Sequence, residues 1–301
     1  MSATQYTVED TQKIANQIRK QILGIALKNG GCYLAQACSS AEIIASLYTR
    51  ILNLGPSVGE WDAIPFPGVP GPDNMDYQRG SAYHGMPEPD KDRFFVSCCH
   101  YASVIYCALA AVGRISEKAL DKFNVDGWNM EMIGAEHSPG FENTAGSLGQ
   151  TVSIAAGTAH ARKMKGETGK VYCLMGDGEL QEGQTWECVQ TAGFYKLDNF
   201  IMVIDANGQQ VEGAIEDQMT LEPITDRFES FGATCVTCNG HSIEEIEKAI
   251  ATPHEGRPLA VICRTKGYTG IKPLEKRWPL LHFARIPESE KAEFQKIYDE
   301  M

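Results

Sequence analysis

Two oxygen-bearing side chains each follow an apolar run near the middle of the sequence. The run 171–175 leads into a Gly-Asp-Gly turn that carries Asp177, and the run 200–204 leads into a turn that carries Asn207. The amphipathic segment between the runs is long enough for a crossover helix, so the pattern predicts a βαβ unit with parallel strands. Asp177 and Asn207 then lie at the carboxyl ends of adjacent strands, where open α/β sheets bind ligands.

The residue types at these strand ends predict a particular chemistry. Small hard cations such as Mg²⁺ take oxygen ligands, usually one or two carboxylates completed by phosphate and water oxygens. Gly176, Gly178 and Gly208 allow sharp turns and let a ligand approach main-chain N–H groups. A helix predicted to begin near Leu180 directs the positive end of its dipole to the same place. Together these features predict a metal-bridged diphosphate site.

The spacing of these residues resembles the thiamine-diphosphate-binding motif, which runs from Gly-Asp-Gly to a downstream asparagine. Asn207 follows Asp177 by 30 positions (207 − 177), and the flanking text, GDGELQEG and AGFYKLDNFIMVIDANG, is similar to the version found in the transketolase family. The similarity extends from SSAEIIASLY at 39–48 through GSLGQ at 146–150 to RTKGYTG at 264–270. It corresponds to the diphosphate-binding domain, the first third to half of a full transketolase.

The resemblance implies a role for each residue that matches a family motif. Mg²⁺ would be bound by the side chains of Asp177 and Asn207 and by the backbone carbonyl of Gln209. The catalytic residues would be His100, Glu182 and His282. The residues implied to contact thiamine diphosphate lie in the matched turns and are His100, Gly146, Ser147, Leu148, Gly176, Asp177, Gly178, Glu179, Asn207 and His282. In the family pattern Glu182 lies at a subunit interface, although a carboxylate there could also simply complement the helix dipole.

Three departures from the family pattern fall where substrate, rather than cofactor, is expected. A substrate-facing histidine of the family is replaced by Tyr33, and the family's Asn-Gly before the conserved histidine reads Cys98-Cys99. The loop before Gly146 is also shortened, with His137 as a candidate replacement for a family histidine. We therefore expect cofactor chemistry to be kept while the donor or acceptor differs from an ordinary sugar phosphate.

The resemblance also implies a partner. A complete transketolase needs a pyrimidine-binding domain with a glutamate that protonates the cofactor's aminopyrimidine. The chain is therefore expected to be the N-terminal subunit of a split enzyme, in an α2β2 heterotetramer, that transfers a two-carbon ketol unit from a ketose or other two-carbon donor. Two alternatives stay open: a subunit that passes a glycolyl unit to a carrier protein, as in 2-oxoacid dehydrogenases, and a non-catalytic scaffold that binds thiamine diphosphate.

The other periodic segments predict the fold class. Helical spacing over 8–29 and strand-like runs at 93–97, 233–238 and 259–264 surround the central unit. Strands that alternate with helices predict an α/β fold, a doubly wound, mainly parallel sheet with helices on both faces. The resemblance identifies it as the thiamine-diphosphate-binding fold.

Chain organisation and further helix starts can also be predicted. Helices are expected to start at Ser39, at His100 and near Gly146. Residues 1–266 are expected to form the diphosphate- and Mg²⁺-binding domain. Residues 267–301 are expected to form an arm that packs on that domain or on the partner subunit.

Composition excludes some functional classes. The net charge of −12 argues against nucleic acid or an anionic membrane as a general partner. No apolar run approaches the roughly 18 residues of a membrane span, and the polar N-terminus favours a cytoplasmic protein. Most of the ten cysteines lie in apolar runs typical of buried thiols. Cys235 and Cys238 have redox-motif spacing, but residues three apart on a strand point to opposite faces, which argues against a redox or metal pair.

Overall fold

The structure is a computed structural model that describes residues 6–75 and 77–301. The helices are α1 (Val8–Asn29), α2 (Leu34–Ser46), α3 (Ala102–Ala111), α4 (Gln150–Lys165), α5 (Gly183–Phe194), α6 (Ile215–Met219), α7 (Ile224–Ser230), α8 (Ile243–Ile250) and α9 (Glu288–Glu300). The strands are β1 (Gly31–Cys32), β2 (Arg93–Val96), β3 (Val171–Gly176), β4 (Phe200–Ala206), β5 (Gln209–Gln210), β6 (Gly213–Ala214), β7 (Thr234–Asn239), β8 (Leu259–Arg264) and β9 (Ala284–Arg285).

A five-stranded sheet in the order β2-β3-β4-β8-β7 forms the centre, and every pair of neighbours in it is parallel. Because successive side chains on a strand point to opposite faces, β3 contributes side chains to two hydrophobic cores, one on each face of the sheet. Tyr172 and Leu174 pack with α1, α2, α3 and α8, whereas Val171, Cys173 and Met175 pack with α4, α5 and α7. The predicted doubly wound α/β fold is confirmed.

Several helix starts differ from the sequence prediction. Helix α2 begins at Leu34 rather than Ser39, and all of its residues are buried, so no polar face marks where it starts. Gly149, with a φ of 77°, ends the turn before α4, which begins at Gln150 rather than Gly146. The helix predicted near Leu180 and the one predicted at His100 are each preceded by a single 3₁₀ turn. These turns lie at the edge of the sheet where the candidate site is found.

The last part of the chain folds back on the first helix. Strand β9 pairs antiparallel with β1, and α9 packs on α1 with Phe294 fully buried. A Cβ atom at Gly24 of α1 would come within 3.1 Å of the Tyr298 ring, so the two helices approach closely. Residues 267–301 therefore contact the rest of the chain, while the boundary at 266 and an arm contact with a partner subunit stay predictions.

The cysteines behave as the strand periodicity predicts. All ten lie among the described residues and are free and buried. Cys235 packs in one core and Cys238 in the other, where its sulfur lies 3.7 Å from that of Cys263. Over the described stretches 6–75 and 77–301, no helix has both the length and the apolar character needed to cross a membrane.

Candidate active site

The carboxyl ends of β3 and β4 bring the two predicted metal ligands together. Asp177 follows β3 directly, and Gly176 stands in register with Asp205 near the end of β4. The Asp177 carboxylate accepts hydrogen bonds from the Gly208 N–H at 2.6 Å and from the Gly178 N–H at 3.0 Å. The turn that carries Asn207 is thereby joined to the turn that carries Asp177, as the βαβ pattern predicts.

Beneath Asn207 lies a buried carboxylate that sequence reasoning did not identify. Asp205 is fully buried and accepts hydrogen bonds from the hydroxyls of Ser39 at 2.5 Å, Tyr101 at 2.6 Å and Thr265 at 2.5 Å. Burial raises its pKa, although these hydrogen bonds act in the opposite direction. Through these hydrogen bonds Asp205 fixes residues from three separate segments next to the turn that carries Asn207. The sequence feature that could have identified Asp205 is a charged residue directly after the apolar run 200–204.

Glu179 connects two other parts of the site. Its Oε1 accepts a hydrogen bond from the Gly149 N–H at 2.7 Å and another from the Ser97 hydroxyl, so it fixes the entrance of α4 against the end of β2. Its other oxygen is buried and has no partner within the described part of the chain. Burial raises its pKa to about 7. Glu179 therefore holds neighbouring turns in place and also lines the cavity that they enclose.

A cavity of about 210 Å³ opens at this edge of the sheet. The predicted site residues that line it are His100, Leu148, Gly176, Asp177, Gly178, Glu179, Glu182, Asn207, Gln209 and His282. Cys98, which was predicted to lie near the substrate, also lines the cavity. The lining residues that were not predicted are Gln36, Tyr101, Gln181, Gln210, Val211 and Glu212. Segments as distant in sequence as 36 and 282 thus contribute to one cavity.

Two predicted cofactor residues and one candidate histidine lie outside that cavity. Gly146 and Ser147 are exposed, and only Leu148 of their turn lines the wall. Their contact with a cofactor stays a prediction. His137 instead binds the Glu131 carboxylate and packs on Phe66, which gives it a structural role away from the cavity.

His100 and His282 meet although they come from opposite parts of the chain. Their ring centroids are 4.8 Å apart. Burial lowers the pKa of both imidazoles, that of His100 to about 3 with a further contribution from His282. Both rings are therefore neutral near pH 7, so each has one nitrogen that donates and one that accepts.

Glu182 lies just before α5, but its carboxylate does not cap that helix. Its side chain lines the cavity and forms no hydrogen bond to any described residue. A carboxylate that serves only the helix would be expected to accept an N–H of the first turn. The geometry leaves Glu182 free to contact a group outside this chain.

Comparison with known proteins decides the family. The sequence model described as transketolase, thiamine diphosphate binding domain matches residues 86–298. The chain belongs to the transketolase family. The predicted class, a thiamine-diphosphate-dependent transferase of two-carbon ketol units, is thereby confirmed.

Its relatives within the transketolase family are of two lengths. A transketolase family protein of Sinorhizobium fredii is 34% identical over 95% of this chain and 94% of its own length. A protein of Actinobacillus succinogenes, named as one subunit of an apulose-4-phosphate transketolase, is 30% identical over 100% of both chains. The crystal structure of Campylobacter jejuni transketolase superposes with a TM-score of 0.74 at 24% identity and shares the fold. The match covers 98% of this chain but 47% of that one, so the chain spans less than half of that solved transketolase.

The cavity is lined by acidic side chains, although the cofactor of the family carries an anionic diphosphate. Four carboxylates line the cavity, those of Asp177, Glu179, Glu182 and Glu212, and the described lining residues include no lysine or arginine. Asp177 is 4% exposed, and burial raises its pKa to about 8. The diphosphate of the cofactor is an anion, so a cation is needed between it and these carboxylates.

The predicted metal ligands fit such a cation. No group of three or more histidine, cysteine, aspartate and glutamate side chains is arranged to hold a metal ion anywhere in 6–75 or 77–301. The predicted set contains a single carboxylate, because Asn207 offers an amide oxygen and Gln209 a carbonyl. Mg²⁺ commonly takes one or two carboxylates and completes its shell with phosphate and water oxygens. The donor set therefore suits a cation that arrives together with a diphosphate.

Proposed function

We propose that this chain holds the diphosphate end of thiamine diphosphate through Mg²⁺ bound by Asp177, Asn207 and the carbonyl of Gln209. The observation that carries the proposal is the hydrogen bond between the Asp177 carboxylate and the Gly208 N–H, which joins the two strand-end turns. A buried carboxylate without a nearby basic side chain is costly, and a divalent cation offsets that cost. The Gly178 N–H, which donates to the Asp177 carboxylate in this structure, lies beside the proposed metal site, and we propose that it donates to the diphosphate when the cofactor is bound.

When bound, thiamine diphosphate supplies the carbon acid that accepts and releases the two-carbon unit. The chain's own contribution beyond anchoring comes from His100 and His282. Their neutral rings line the cavity and make no hydrogen bond to any described residue, so both nitrogens of each ring are open to a substrate. We propose that they orient substrate hydroxyl groups and move protons to and from them.

A partner subunit completes the proposed enzyme. Two relatives that align with this chain over 100% and 84% of their own lengths are named as subunits of transketolases. Glu182 presents a carboxylate without a hydrogen-bond partner among the described residues at the cavity wall. We propose that a second chain carrying a pyrimidine-binding domain docks there, in an α2β2 heterotetramer. The free, buried cysteines fit a reducing cytoplasmic compartment, which is part of the same proposal.

The substrate is proposed to differ from ordinary sugar phosphates. Two relatives are named for apulose-4-phosphate and for 6-deoxy-6-sulfo-D-fructose. In this chain Cys98 lines the cavity beside His100, and Tyr33 packs on the ring of that histidine. These positions are where the sequence departs from the family pattern, so we propose an uncommon ketose as the donor or an uncommon aldose as the acceptor.

The test is reconstitution with a candidate partner chain that carries a pyrimidine-binding domain. The purified pair, with thiamine diphosphate and Mg²⁺, is expected to transfer a ketol unit from a panel of ketoses, while either chain alone is inactive. Turnover of xylulose and ribose phosphates at the rate of a housekeeping transketolase would contradict the substrate proposal. Full activity of this chain alone would contradict the partner proposal.

The same preparation separates the other candidate functions. Release of CO₂ from 2-oxoacids, or transfer of a glycolyl unit to a carrier thiol, would contradict the proposed transfer between a ketose and an aldose. If the pair remains fully active when Asp177 is replaced by alanine, we would conclude that this chain is a non-catalytic scaffold.

A further inference from the structure

Five aromatic rings form a cluster at one wall of the cavity, and one of them, Tyr101, contacts the His100 ring at 5.1 Å between centroids. The Tyr33 ring lies 5.4 Å from the His100 ring, 5.4 Å from the His282 ring and 5.3 Å from the Phe283 ring, measured between centroids. Its contacts with His282 and Phe283 are edge-on, at interplanar angles of 81° and 84°. Spacings and angles of this kind are favourable for aromatic pairs. Tyr33 is the ring that contacts both histidines and Phe283, whereas Tyr101 contacts His100 of these three.

The two histidines in this cluster lack the usual means of orientation. A histidine that acts on a substrate is normally held by a hydrogen bond from one ring nitrogen to a carbonyl or carboxylate. Within the described residues, neither His100 nor His282 makes such a bond through its imidazole. Packing against neighbouring rings is the restraint that remains. The Tyr33 hydroxyl also has no hydrogen-bond partner among these residues, so its contribution comes from the ring.

The backbone around Tyr33 is itself well fixed. Tyr33 lies between β1 and α2, and the preceding residue, Cys32, pairs with Ala284 of β9. The Gln36 side chain in the first turn of α2 donates a hydrogen bond to the His282 carbonyl at 3.1 Å. The strand pair and this hydrogen bond hold the Tyr33 and His282 segments in one position relative to each other.

We propose that Tyr33 is a positioning residue whose ring sets the orientation of His100 and His282 toward the cavity. Tyr33 itself is not among the residues that line the cavity, whereas both histidines are. It therefore acts through the two imidazoles rather than on the substrate. The consequence for turnover rests on the proposed function of the two histidines, but the orientation of their rings does not.

The test compares Tyr33→Phe with Tyr33→Ala in the full chain. Phenylalanine keeps the ring and removes the hydroxyl, so Tyr33→Phe is expected to retain the wild-type kcat of the reconstituted complex within twofold. Alanine removes the ring, and a misplacement of about 1 Å in a catalytic group costs roughly 100-fold in rate. We therefore expect Tyr33→Ala to lower kcat at least roughly tenfold while thiamine diphosphate affinity stays within threefold.

A second measurement does not require turnover. In the chain labelled with ¹³C at histidine, the ring signals of His100 and His282 are expected to be sharp and displaced by neighbouring rings in wild type and Tyr33→Phe. In Tyr33→Ala they are expected to broaden or move toward the shifts of free histidine. Tyr298→Ala is the matched control, because Tyr298 is also partly buried but packs on Gly24 and Lys20 of α1. It is expected to change neither the histidine signals nor kcat.

Each outcome decides between explanations. Unchanged histidine signals in Tyr33→Ala would overturn the proposal, as would an equal loss of kcat in Tyr33→Phe, which would assign the effect to the hydroxyl. Altered signals together with an unchanged kcat would support the positioning role and contradict the catalytic role proposed for the histidines.

Discussion

Replacing Asp177 with alanine tests the assignment on which the cofactor site depends. The carboxylate is 4% exposed and accepts two backbone N–H groups, those of Gly178 and Gly208. In the variant these N–H groups lose their acceptor, which costs about 1–3 kcal/mol each where water cannot reach them. Removing the carboxylate also removes the cost of burying it, which is what raises its pKa to about 8, so we expect the free energy of unfolding to change by less than about 2 kcal/mol and the fold to persist.

The effect on cofactor binding is expected to be larger and of a different kind. Residues that merely support a metal ligand are typically worth roughly 10–100-fold in metal affinity. Removal of the one charged ligand is therefore expected to weaken Mg²⁺-dependent binding of thiamine diphosphate at least about 100-fold, equivalent to about 2.8 kcal/mol at about 1.4 kcal/mol per factor of ten.

The assay is calorimetric titration of the assembled complex with thiamine diphosphate, in excess Mg²⁺ and in EDTA. Wild type should bind far more tightly with Mg²⁺ than with EDTA, whereas Asp177→Ala should bind weakly and equally under both conditions. Asp217→Ala removes an exposed carboxylate on nearby α6 and should behave as wild type. If Asp177→Ala keeps both the wild-type affinity and its response to Mg²⁺, the metal does not bind at these strand ends.

Three further predictions concern stability and turnover. Arg19→Met leaves the Glu42 carboxylate buried without its bidentate partner, so the free energy of unfolding at pH 7 should fall by about 3–5 kcal/mol in urea titrations. Burial raises the pKa of Glu42, but hydrogen bonds from His241 and Arg19 outweigh that effect and lower it to about 2. The ion pair therefore stabilises the fold fully above the unfolded pKa of about 4.5, and this stabilisation is lost as the pH falls toward about 2. If the difference in free energy of unfolding between wild type and Arg19→Met does not shrink between pH 4.5 and pH 2, the effect does not come from this ion pair. Phe294→Ala should cost about 3–5 kcal/mol in the same titrations, and a change below about 1 kcal/mol would show that α9 is only loosely docked. Glu182→Gln should lower kcat of the complex at least roughly tenfold with a smaller change in thiamine diphosphate affinity, and steady-state kinetics showing wild-type kcat would leave Glu182 without a catalytic role.

The sheet and its central unit were predictable because the signals are local. Apolar runs that end abruptly in glycine and an oxygen-bearing residue identify both the strands and the edge at which they stop. Asp177 and Asn207 are placed by strand length and by the parallel connection alone. The starts of α2 and α5 were misplaced for a physical reason: α2 is buried on every side, and a 3₁₀ turn precedes α5.

The sequence by itself determined the fold class, the family and the strand-end residues proposed to bind metal, since each depends on short-range spacing. Only the tertiary structure decided which distant residues share the cavity. Asp205 became part of the site because Ser39, Tyr101 and Thr265 converge on it from three segments. Tyr33 and His282 meet because β1 pairs with β9 across the length of the chain. Such convergence is fixed by the packing of whole elements, which no local pattern of residues records.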